Sequence, residues 1–195
     1  LTACSSSPDK KDPLSGKTAE EIHAEAKEQM DNENYEKAIE LFEALQSRYP
    51  YGRLAQQAQL ETAYAYYKQE EPDLAISTLD RFIKQYPSHP NLDYAYYLKG
   101  LVNFNEDLGL FGDITRADMS ERDPKGARAA FYTFRDLVTR FPDSKYAADS
   151  RLRMGFLINT LARHEINVAS YYLRRGAYVA AVRRANDVLT EFPQT

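Results

Sequence analysis

The feature that most constrains this chain is a pattern that recurs four times with identical internal spacing. Each copy has an alanine, apolar residues four and seven positions later, and an aromatic-proline pair at positions eleven and twelve. The copies are Ala38/Phe42/Leu45/Tyr49-Pro50, Ala75/Leu79/Phe82/Tyr86-Pro87, Ala130/Phe134/Leu137/Phe141-Pro142 and Ala181/Ala185/Val188/Phe192-Pro193. Positions with this spacing lie along one stripe of an α-helix, and proline cannot continue that helix. The pattern therefore predicts four helices of one kind, each ending at its proline.

Small residues before each stripe indicate where a partner helix can approach closely. They lie twelve positions before the first two alanines, at Ala26 and Ala63, and thirteen positions after two of the prolines, at Gly100 and Gly155. The resulting unit of helix, turn, helix and proline resembles the tetratricopeptide repeat. We predict an all-α fold, a tetratricopeptide-type solenoid of helical hairpins. The sequence indicates about four repeats in a single domain over residues 18–195, near residues 18–50, 51–87, 88–142 and 143–193.

The third unit is interrupted. Its first helix is predicted over about residues 91–105, but the second begins only at Asp123-Pro124, read as an N-cap and a first helical residue. Residues 106–122 form an insertion whose apolar residues argue against full disorder. These residues are Leu108, Leu110, Phe111 and Ile114. We expect the insertion to fold against the solenoid or a partner.

Local signals predict the other helix ends. Thr18 and Glu21 form a plausible capping box for the first helix, Asn34 can cap the second, and Pro72 is expected in a turn. The fourth unit opens with one unusually long helix, about residues 145–175, which Gly176 should end.

Charge is distributed unevenly along the chain, although the net charge is only −4. Residues 1–134 carry 15 basic and 23 acidic side chains, whereas residues 135–195 carry 10 and 6. The basic excess at the end is too small, and too mixed with acids, to indicate nucleic-acid binding. An acidic protein partner fits it better.

The first residues resemble the lipobox of bacterial lipoproteins. A leucine lies three positions before Cys4 and an alanine immediately before it, and a Ser/Pro/Lys/Asp tract follows. We predict that the thiol of Cys4 is acylated, that residues 1–17 form the lipobox-like start and a flexible tether (residues 5–17), and that Ser5 favours the outer membrane. No stretch reaches the roughly 18 apolar residues that span a bilayer, so attachment would rest on the lipid. The alternative is an incidental surface cysteine.

The sequence carries no pattern typical of catalysis. His23, His89 and His164 lie far apart without a second ligand at metal spacing, and no phosphate loop or nucleophile motif occurs. We predict no metal site, no catalytic residue and no cofactor apart from the lipid on Cys4. The alternative, an acid/base pair of Asp107 and Asp118 in the insertion, lacks a nucleophile.

Binding chemistry is better supported. In stacked hairpins the first helices line the concave face, and residues one turn either side of the small position point into it. This rule predicts a groove for an extended peptide, formed by Leu60, Tyr64, Tyr67, Tyr94, Tyr97, Leu101 and Phe104. Tyrosines can hold a peptide by ring contacts and hydroxyl hydrogen bonds. The alternative, equally open, is that half of these rings pack between neighbouring helices.

Connecting segments that generic repeats do not share indicate a family. They include Arg48-Tyr49-Pro50-Tyr51-Gly52, Ala65-Tyr66-Tyr67-Lys68, His89-Pro90-Asn91-Leu92-Asp93-Tyr94 and Ala127-Arg128-Ala129-Ala130-Phe131. With the lipobox-like start, these segments resemble the BamD family, the tetratricopeptide lipoproteins of the β-barrel assembly machinery. The resemblance extends from Cys4 to Pro193.

The resemblance implies a non-catalytic lipoprotein on the periplasmic face of the outer membrane. It implies binding to the POTRA region of BamA, to accessory lipoproteins of the BamC and BamE types, and to unfolded outer-membrane proteins through their carboxy-terminal signal. Arg175, Arg183 and Arg184 are the predicted BamA contacts. The family normally has a fifth repeat beyond the last one found here. The alternative is another periplasmic repeat lipoprotein that acts as a cell-envelope adaptor.

Overall fold

The computed structural model of the chain describes residues 14–108 and 124–191. These residues form eight α-helices and contain no β-strand. The helices are α1 (Ala19–Asp31), α2 (Tyr35–Arg48), α3 (Arg53–Lys68), α4 (Pro72–Gln85), α5 (Leu92–Leu108), α6 (Lys125–Arg140), α7 (Ala147–Arg174) and α8 (Tyr178–Glu191). Each helix packs against the next in the chain, α1 also touches α3, and α3 touches α5. This arrangement confirms an all-α solenoid of hairpins; the division into about four repeats stays a prediction.

The aromatic-proline pairs end the second helices as predicted. Tyr49, Tyr86 and Phe141 are the C-cap residues of α2, α4 and α6, with φ between −125° and −130°. Each still donates its backbone N–H to the carbonyl four residues earlier. The following proline excludes the α conformation at the residue before it, so the helix stops there. The fourth pair, Phe192-Pro193, lies outside the described residues.

The apolar stripes of α2, α4 and α6 form the core. Phe42, Phe82 and Phe134 have no exposed surface. Their partner helices meet them at the predicted small positions, since Ala26 and Ala63 are fully buried. At Gly100 a Cβ atom would lie 2.4 Å from Cε1 of Phe134, so only glycine fits this close approach.

The prediction of a close approach at Gly155 is wrong. Gly155 is exposed, and a Cβ built there meets no heavy atom within 4 Å. The reason is the length of α7, which has 28 residues and serves two neighbours in succession. Its first half packs on α6 through Leu157 and Leu161. Its second half meets α8, where Ala169 lies twelve positions before Ala181 and beside it.

Several helix ends were predicted correctly. The hydroxyl of Thr18 accepts from the backbone of Glu21 at 3.2 Å, and the Glu21 carboxylate accepts from the backbone of Thr18 at 2.8 Å, which completes the capping box. Gly176 ends α7 at φ 73°, in a turn in which its own N–H and that of Ala177 bond back to the helix. The turns after α1 and α3 have the same geometry, with Glu33 and Glu70 in the left-handed region.

Other helix ends differ from the predictions. Asn34 precedes α2, but its side chain donates to Gln29 instead of capping the helix. Pro72 is the first residue of α4 instead of part of a turn, and Pro124 is the N-cap of α6 instead of its first residue. All three positions suit the residue, because the first turn of a helix has N–H groups without intrahelical partners.

The first helix of the third unit is longer than predicted. α5 continues to Leu108, three residues beyond the expected end at Asn105. Residues 109–122 of the insertion lie outside the described residues, as do Asp123, Cys4 and the predicted tether up to residue 13. Residues 14–17, the end of the predicted tether, instead pack on the solenoid, since Leu14 is buried and its carbonyl accepts from Nη1 of Arg48 at 2.7 Å.

Candidate functional site

Two adjoining cavities lie on the face formed by the first helices. The first has a volume of about 290 Å³ and is lined by Lys27, Met30, Gln57, Leu60, Glu61, Tyr64, Asn91 and Tyr94. The second has a volume of about 340 Å³ and is lined by Pro90, Asn91, Asp93, Tyr94, Lys145 and Tyr146. Asn91 and Tyr94 belong to both. The two cavities therefore form one groove that runs from α1 across α3 and α5 to the start of α7, and we call it the tyrosine groove.

Three of the seven predicted groove residues line the first cavity. They are Leu60, Tyr64 and Tyr94, and of these Leu60 is only 4% exposed. The hydroxyls of Tyr64 and Tyr94 make no hydrogen bond to any described residue, so they are open to a ligand. Burial raises the pKa of Tyr94, and the neighbouring phenols Tyr64 and Tyr146 raise it further, so it stays protonated as a donor.

Tyr97 lines neither cavity, but it packs against Tyr146, which lines the second. Its ring stacks on Tyr146 with 4.5 Å between centroids and 17° between planes. Its hydroxyl donates to Oδ2 of Asp149 at 2.8 Å. Burial raises the pKa of Tyr97, and the bond to Asp149 adds to the increase. These contacts fix the ring of Tyr97, which in turn supports Tyr146 in the wall of the second cavity.

The other three predicted residues pack against neighbouring helices. The hydroxyl of Tyr67 accepts a hydrogen bond from Asn105. Phe104 is 8% exposed and lies edge-on to Phe134 and Phe156, at centroid distances of 6.3 Å and 5.8 Å. Leu101 is partly buried against the same cluster. These three residues therefore contribute to packing between helices more than to a surface that a ligand could contact.

Two residues of α1 that were not predicted from the sequence also belong to the groove. Lys27 and Met30 line the first cavity. They lie one and four positions after Ala26, just as Tyr64 and Tyr67 follow Ala63. The rule that found the tyrosines on α3 would therefore have found them, had it been applied to the first unit.

An ion-pair cluster closes one side of the first cavity. The carboxylate of Glu61 lies 2.7 Å from Nε2 of His23 and 3.6 Å from Nζ of Lys27. His23 and Glu61 are each 14% exposed at the side chain. Glu61 therefore has a cationic partner in Lys27 and a hydrogen-bond partner in His23 within the protein.

The predicted arginines occupy two different environments. Nη1 of Arg184 lies 3.0 Å from Oε2 of Glu165, a residue that is only 3% exposed. Arg128 of α6 binds the other oxygen of Glu165 at 2.9 Å and also binds Glu191 at 3.1 Å. Arg184 therefore helps to neutralise a buried acid and joins α8 to α7.

Arg175 and Arg183 are exposed. The guanidinium of Arg175 lies 5.2 Å from the ring centroid of Tyr171, a cation-π contact. Neither arginine forms an ion pair with a described residue. A partner could therefore pair with them without breaking an internal bond.

The α7–α8 hairpin also carries an open apolar groove of about 430 Å³. It is lined by Ile166, Ala169, Ser170, Leu173, Ala181, Val182, Ala185, Val188 and Leu189. Leu173 and Leu189 are 58% and 73% exposed. This surface lies on the same hairpin as the exposed arginines.

Within residues 14–108 and 124–191, no group of three or more His, Cys, Asp or Glu side chains could hold a metal ion. No helix in these ranges is long and apolar enough to cross a membrane. His89 packs edge-on against Phe82 at 5.0 Å, and burial lowers its pKa.

Comparison with known proteins gives one consistent result. The family described as "YfiO: Outer membrane lipoprotein" matches residues 15–195. The chain is 48% identical to "Outer membrane protein assembly factor BamD" of Neisseria meningitidis serogroup B over 178 residues, 91% of this chain and 67% of that protein. It is 41% identical to the protein of that name in Xylella fastidiosa, over 95% of this chain and 64% of the relative.

A more distant relative extends the match to the whole chain. The BamD assembly factor of Vibrio cholerae is 37% identical over all 195 residues, which make up 80% of that protein. The family match and these identities cover the groove helices and the α7–α8 hairpin together. The chain therefore belongs to the YfiO family of outer membrane lipoproteins, the family of the assembly factor BamD.

Proposed function

We propose that this chain is a non-catalytic scaffold of the β-barrel assembly machinery that holds segments of unfolded outer-membrane proteins for BamA. The observation that carries the proposal is the tyrosine groove, in a chain whose relatives are named outer membrane protein assembly factors. The groove would bind the carboxy-terminal segment of the unfolded protein. The α7–α8 hairpin would bind the POTRA region of BamA.

The chemistry of the groove suits an extended peptide. Its first cavity, about 290 Å³, has room for one or two side chains but not for a folded partner. Tyr64 and Tyr94 offer aromatic surface together with hydroxyls that no described residue uses. Apolar side chains of the peptide would bury against the rings while its backbone bonds the hydroxyls.

The hairpin chemistry suits an acidic partner. Arg175 and Arg183 are exposed beside the open apolar groove of α7 and α8. Charge attraction would steer the POTRA region toward this end, and apolar contacts would hold it. We propose contacts from Arg175, Arg183 and Arg184, with Arg184 restricted by its bond to Glu165.

Anchoring and accessory partners complete the proposal. A lipid on Cys4 would tether the solenoid to the periplasmic face of the outer membrane. BamC- and BamE-type lipoproteins would bind elsewhere on the solenoid. Mass spectrometry of the protein purified from membranes tests the first point, because an unmodified Cys4 would contradict lipid anchoring.

A peptide titration tests the groove. A short fluorescent peptide that ends in phenylalanine should bind the chain, and Tyr64→Ala or Tyr97→Ala should weaken binding about tenfold, since a buried aromatic contact is lost. Tyr132→Ala is the matched control, because Tyr132 is 48% exposed and lies on α6, away from the groove. Unchanged affinity in both groove variants would contradict the assignment.

Calorimetry with the POTRA domain nearest the barrel tests the hairpin. Arg183→Glu is the cleaner variant, because Arg183 makes no internal ion pair with a described residue. Arg184→Glu places a second carboxylate beside Glu165 and so also changes the fold locally. Loss of binding in Arg183→Glu with unchanged thermal stability would locate the interface; unchanged binding in both variants would exclude these arginines.

A further inference from the structure

Arg153 of α7, which was not predicted as a site residue, lies beside Tyr97 and Phe104 and lines neither cavity of the tyrosine groove. Its Nε donates to Oδ2 of Asp149 at 2.6 Å, one helical turn earlier. Its Cζ lies 4.9 Å from the ring centroid of Phe104. The side chain is 28% exposed, so it is partly shielded from water but reachable by a ligand.

The position of this guanidinium is fixed by groups that also belong to the groove. The Asp149 oxygen that binds Arg153 also accepts a hydrogen bond from the hydroxyl of Tyr97. The charge of Arg153 acts on the phenols of Tyr67 and Tyr97, lowering their pKa values against the larger effect of burial. Arg153 therefore lies next to three of the seven predicted groove residues.

Arg153 retains capacity for a ligand. A guanidinium has five N–H donors, and Asp149 takes one of them through Nε. No second acid among the described residues forms an ion pair with Arg153. Asp149 itself is held ionised, because burial raises its pKa less than the bonds from Arg153 and Tyr97 lower it. The pair is thus an oriented cation with free donors.

The other acids of the groove already have partners. Glu61 is paired with His23 and Lys27. Asp93 accepts from the hydroxyl of Ser144 at 2.6 Å. Arg153 faces one acid, Asp149, which it already binds, and the remaining donors of its guanidinium match the two oxygens of a carboxylate.

We propose that Arg153 binds the terminal carboxylate of the peptide held in the tyrosine groove, so that the groove recognises a free chain end. A terminal aromatic residue carries its ring and its carboxylate on one Cα, so a peptide whose last ring lies in the groove could place its carboxylate beside it, where Arg153 lies next to Tyr97 and Phe104. An internal segment of the same sequence would lack the carboxylate. The inference rests on the peptide-binding function proposed above.

A comparison of one peptide in two forms tests the inference. The peptide that ends in phenylalanine is titrated as the free acid and as the terminal amide, by fluorescence anisotropy. The wild-type chain should bind the acid about tenfold more tightly, because the charge-assisted bonds to Arg153 are lost with the amide. Arg153→Gln should bind both forms with the weaker affinity. Arg153→Lys should keep part of the preference for the acid, since lysine keeps the positive charge but cannot bind both carboxylate oxygens with parallel N–H groups.

Arg151→Gln is the matched control. Arg151 lies two residues away on α7, is exposed, and makes one long hydrogen bond to the carbonyl of Pro142. This variant should keep the full preference for the acid. Thermal denaturation of each variant separates loss of the anchor from loss of the fold.

Each outcome has a distinct meaning. Equal binding of acid and amide to the wild-type chain would overturn the carboxylate anchor while leaving the groove intact, and this arm needs no variant to fold. A preference for the acid that persists undiminished in folded Arg153→Gln would show that another residue is the anchor. Binding of neither form to the wild-type chain would overturn the peptide-binding function itself, and the anchor with it.

Discussion

The second helices α2, α4 and α6 bury the alanine and the next two apolar residues of their stripes completely, whereas α8 buries only the alanine of the three equivalent residues. Phe42, Phe82 and Phe134 have 0% exposure. On α8 the stripe consists of Ala181 at 7%, the partly buried Val188 and the exposed Ala185. The same register along the chain thus gives a closed core in one region and an open apolar surface in the other.

The difference follows from the neighbours of each helix. α2 packs between α1 and α3, α4 between α3 and α5, and α6 between α5 and α7. Among the described helices, α8 has α7 as its main neighbour, with an ion pair from Arg128 of α6 to Glu191. A stripe becomes core only when helices cover it from both sides. The amino-terminal region therefore gains stability from its stripes, and the last hairpin offers its stripe for contact.

The largest expected effect compares one stripe residue from each region. Phe82→Ala should lower the free energy of unfolding by about 3–5 kcal/mol, because it leaves a cavity in a closed core. Val188→Ala should cost about 1 kcal/mol or less, because its site is partly open to water. Urea unfolding followed by circular dichroism measures both. Equal losses would mean that the α8 stripe is as closed as the others.

The next largest change in stability is expected from substituting two glycines. Gly100→Ala should destabilise the chain by about 1–3 kcal/mol, since the added Cβ would overlap the buried ring of Phe134. Gly155→Ala should stabilise it by about 0.5–1 kcal/mol, because nothing lies within 4 Å and alanine favours the helix. Thermal unfolding of the two variants should shift in opposite directions. A shift in the same direction would contradict the close approach at Gly100 or the open site at Gly155.

The two glycines also indicate how far the sequence predicts the fold. The helices, their ends at the prolines and the contact at Gly100 all follow from the spacing of residues within one hairpin. This spacing can be read directly from the sequence. The close approach predicted at Gly155 does not occur, because α7 is long enough to pack against two helices in turn. The residue of α7 that lies beside Ala181 of α8 is Ala169. The sequence predicted the length of α7 and its end at Gly176, but not which part of this helix approaches α8, because that depends on how both neighbours pack and local spacing does not encode it.

The candidate site, too, could be predicted from the sequence only in part. The tyrosines of α3 and α5 could be predicted from their distance to Ala63 and Gly100. The ion pairs could not, because Glu165 meets Arg128 and Arg184 across 37 and 19 residues of chain. Such pairs require three helices to be placed first. Whether a predicted ring lines the groove, as Tyr64 does, or packs behind it, as Phe104 does, likewise depends on helix rotation.

Two neighbouring arginines on α8 sharpen the comparison further. Arg184→Glu should destabilise the chain by about 1–2 kcal/mol, because it removes one partner of the buried Glu165 and adds a like charge, while Arg128 still pairs with that acid. Arg183→Glu should change the free energy of unfolding by about 0.5 kcal/mol or less, as an exposed side chain without a pair. Chemical denaturation of both variants measures the difference. Similar values would mean that the pair with Glu165 contributes little to holding α8.

The smallest effect is a pH dependence, again different in the two regions. The pKa of Asp149 lies below its ordinary value of 3.8, because the bonds from Arg153 and Tyr97 outweigh the effect of burial. A lowered folded-state pKa adds stability that is fully present above pH 3.8 and is lost as the pH falls through the folded-state value. Asp149→Asn should therefore be less stable than the wild-type chain at pH 7, and the difference should shrink below pH 3.8.

Asp187→Asn on α8 is the control for that measurement, since its carboxylate forms no ion pair with a described residue. Its stability should follow the wild-type curve closely across the same pH range. The experiment is a series of urea unfolding curves from pH 7 to acid, with all three proteins at one ionic strength. A constant difference between wild type and Asp149→Asn at every pH would mean that the carboxylate contributes by packing and not by charge. The guanidinium of Arg153 would then lack the oriented partner that makes it a fixed anchor in the groove.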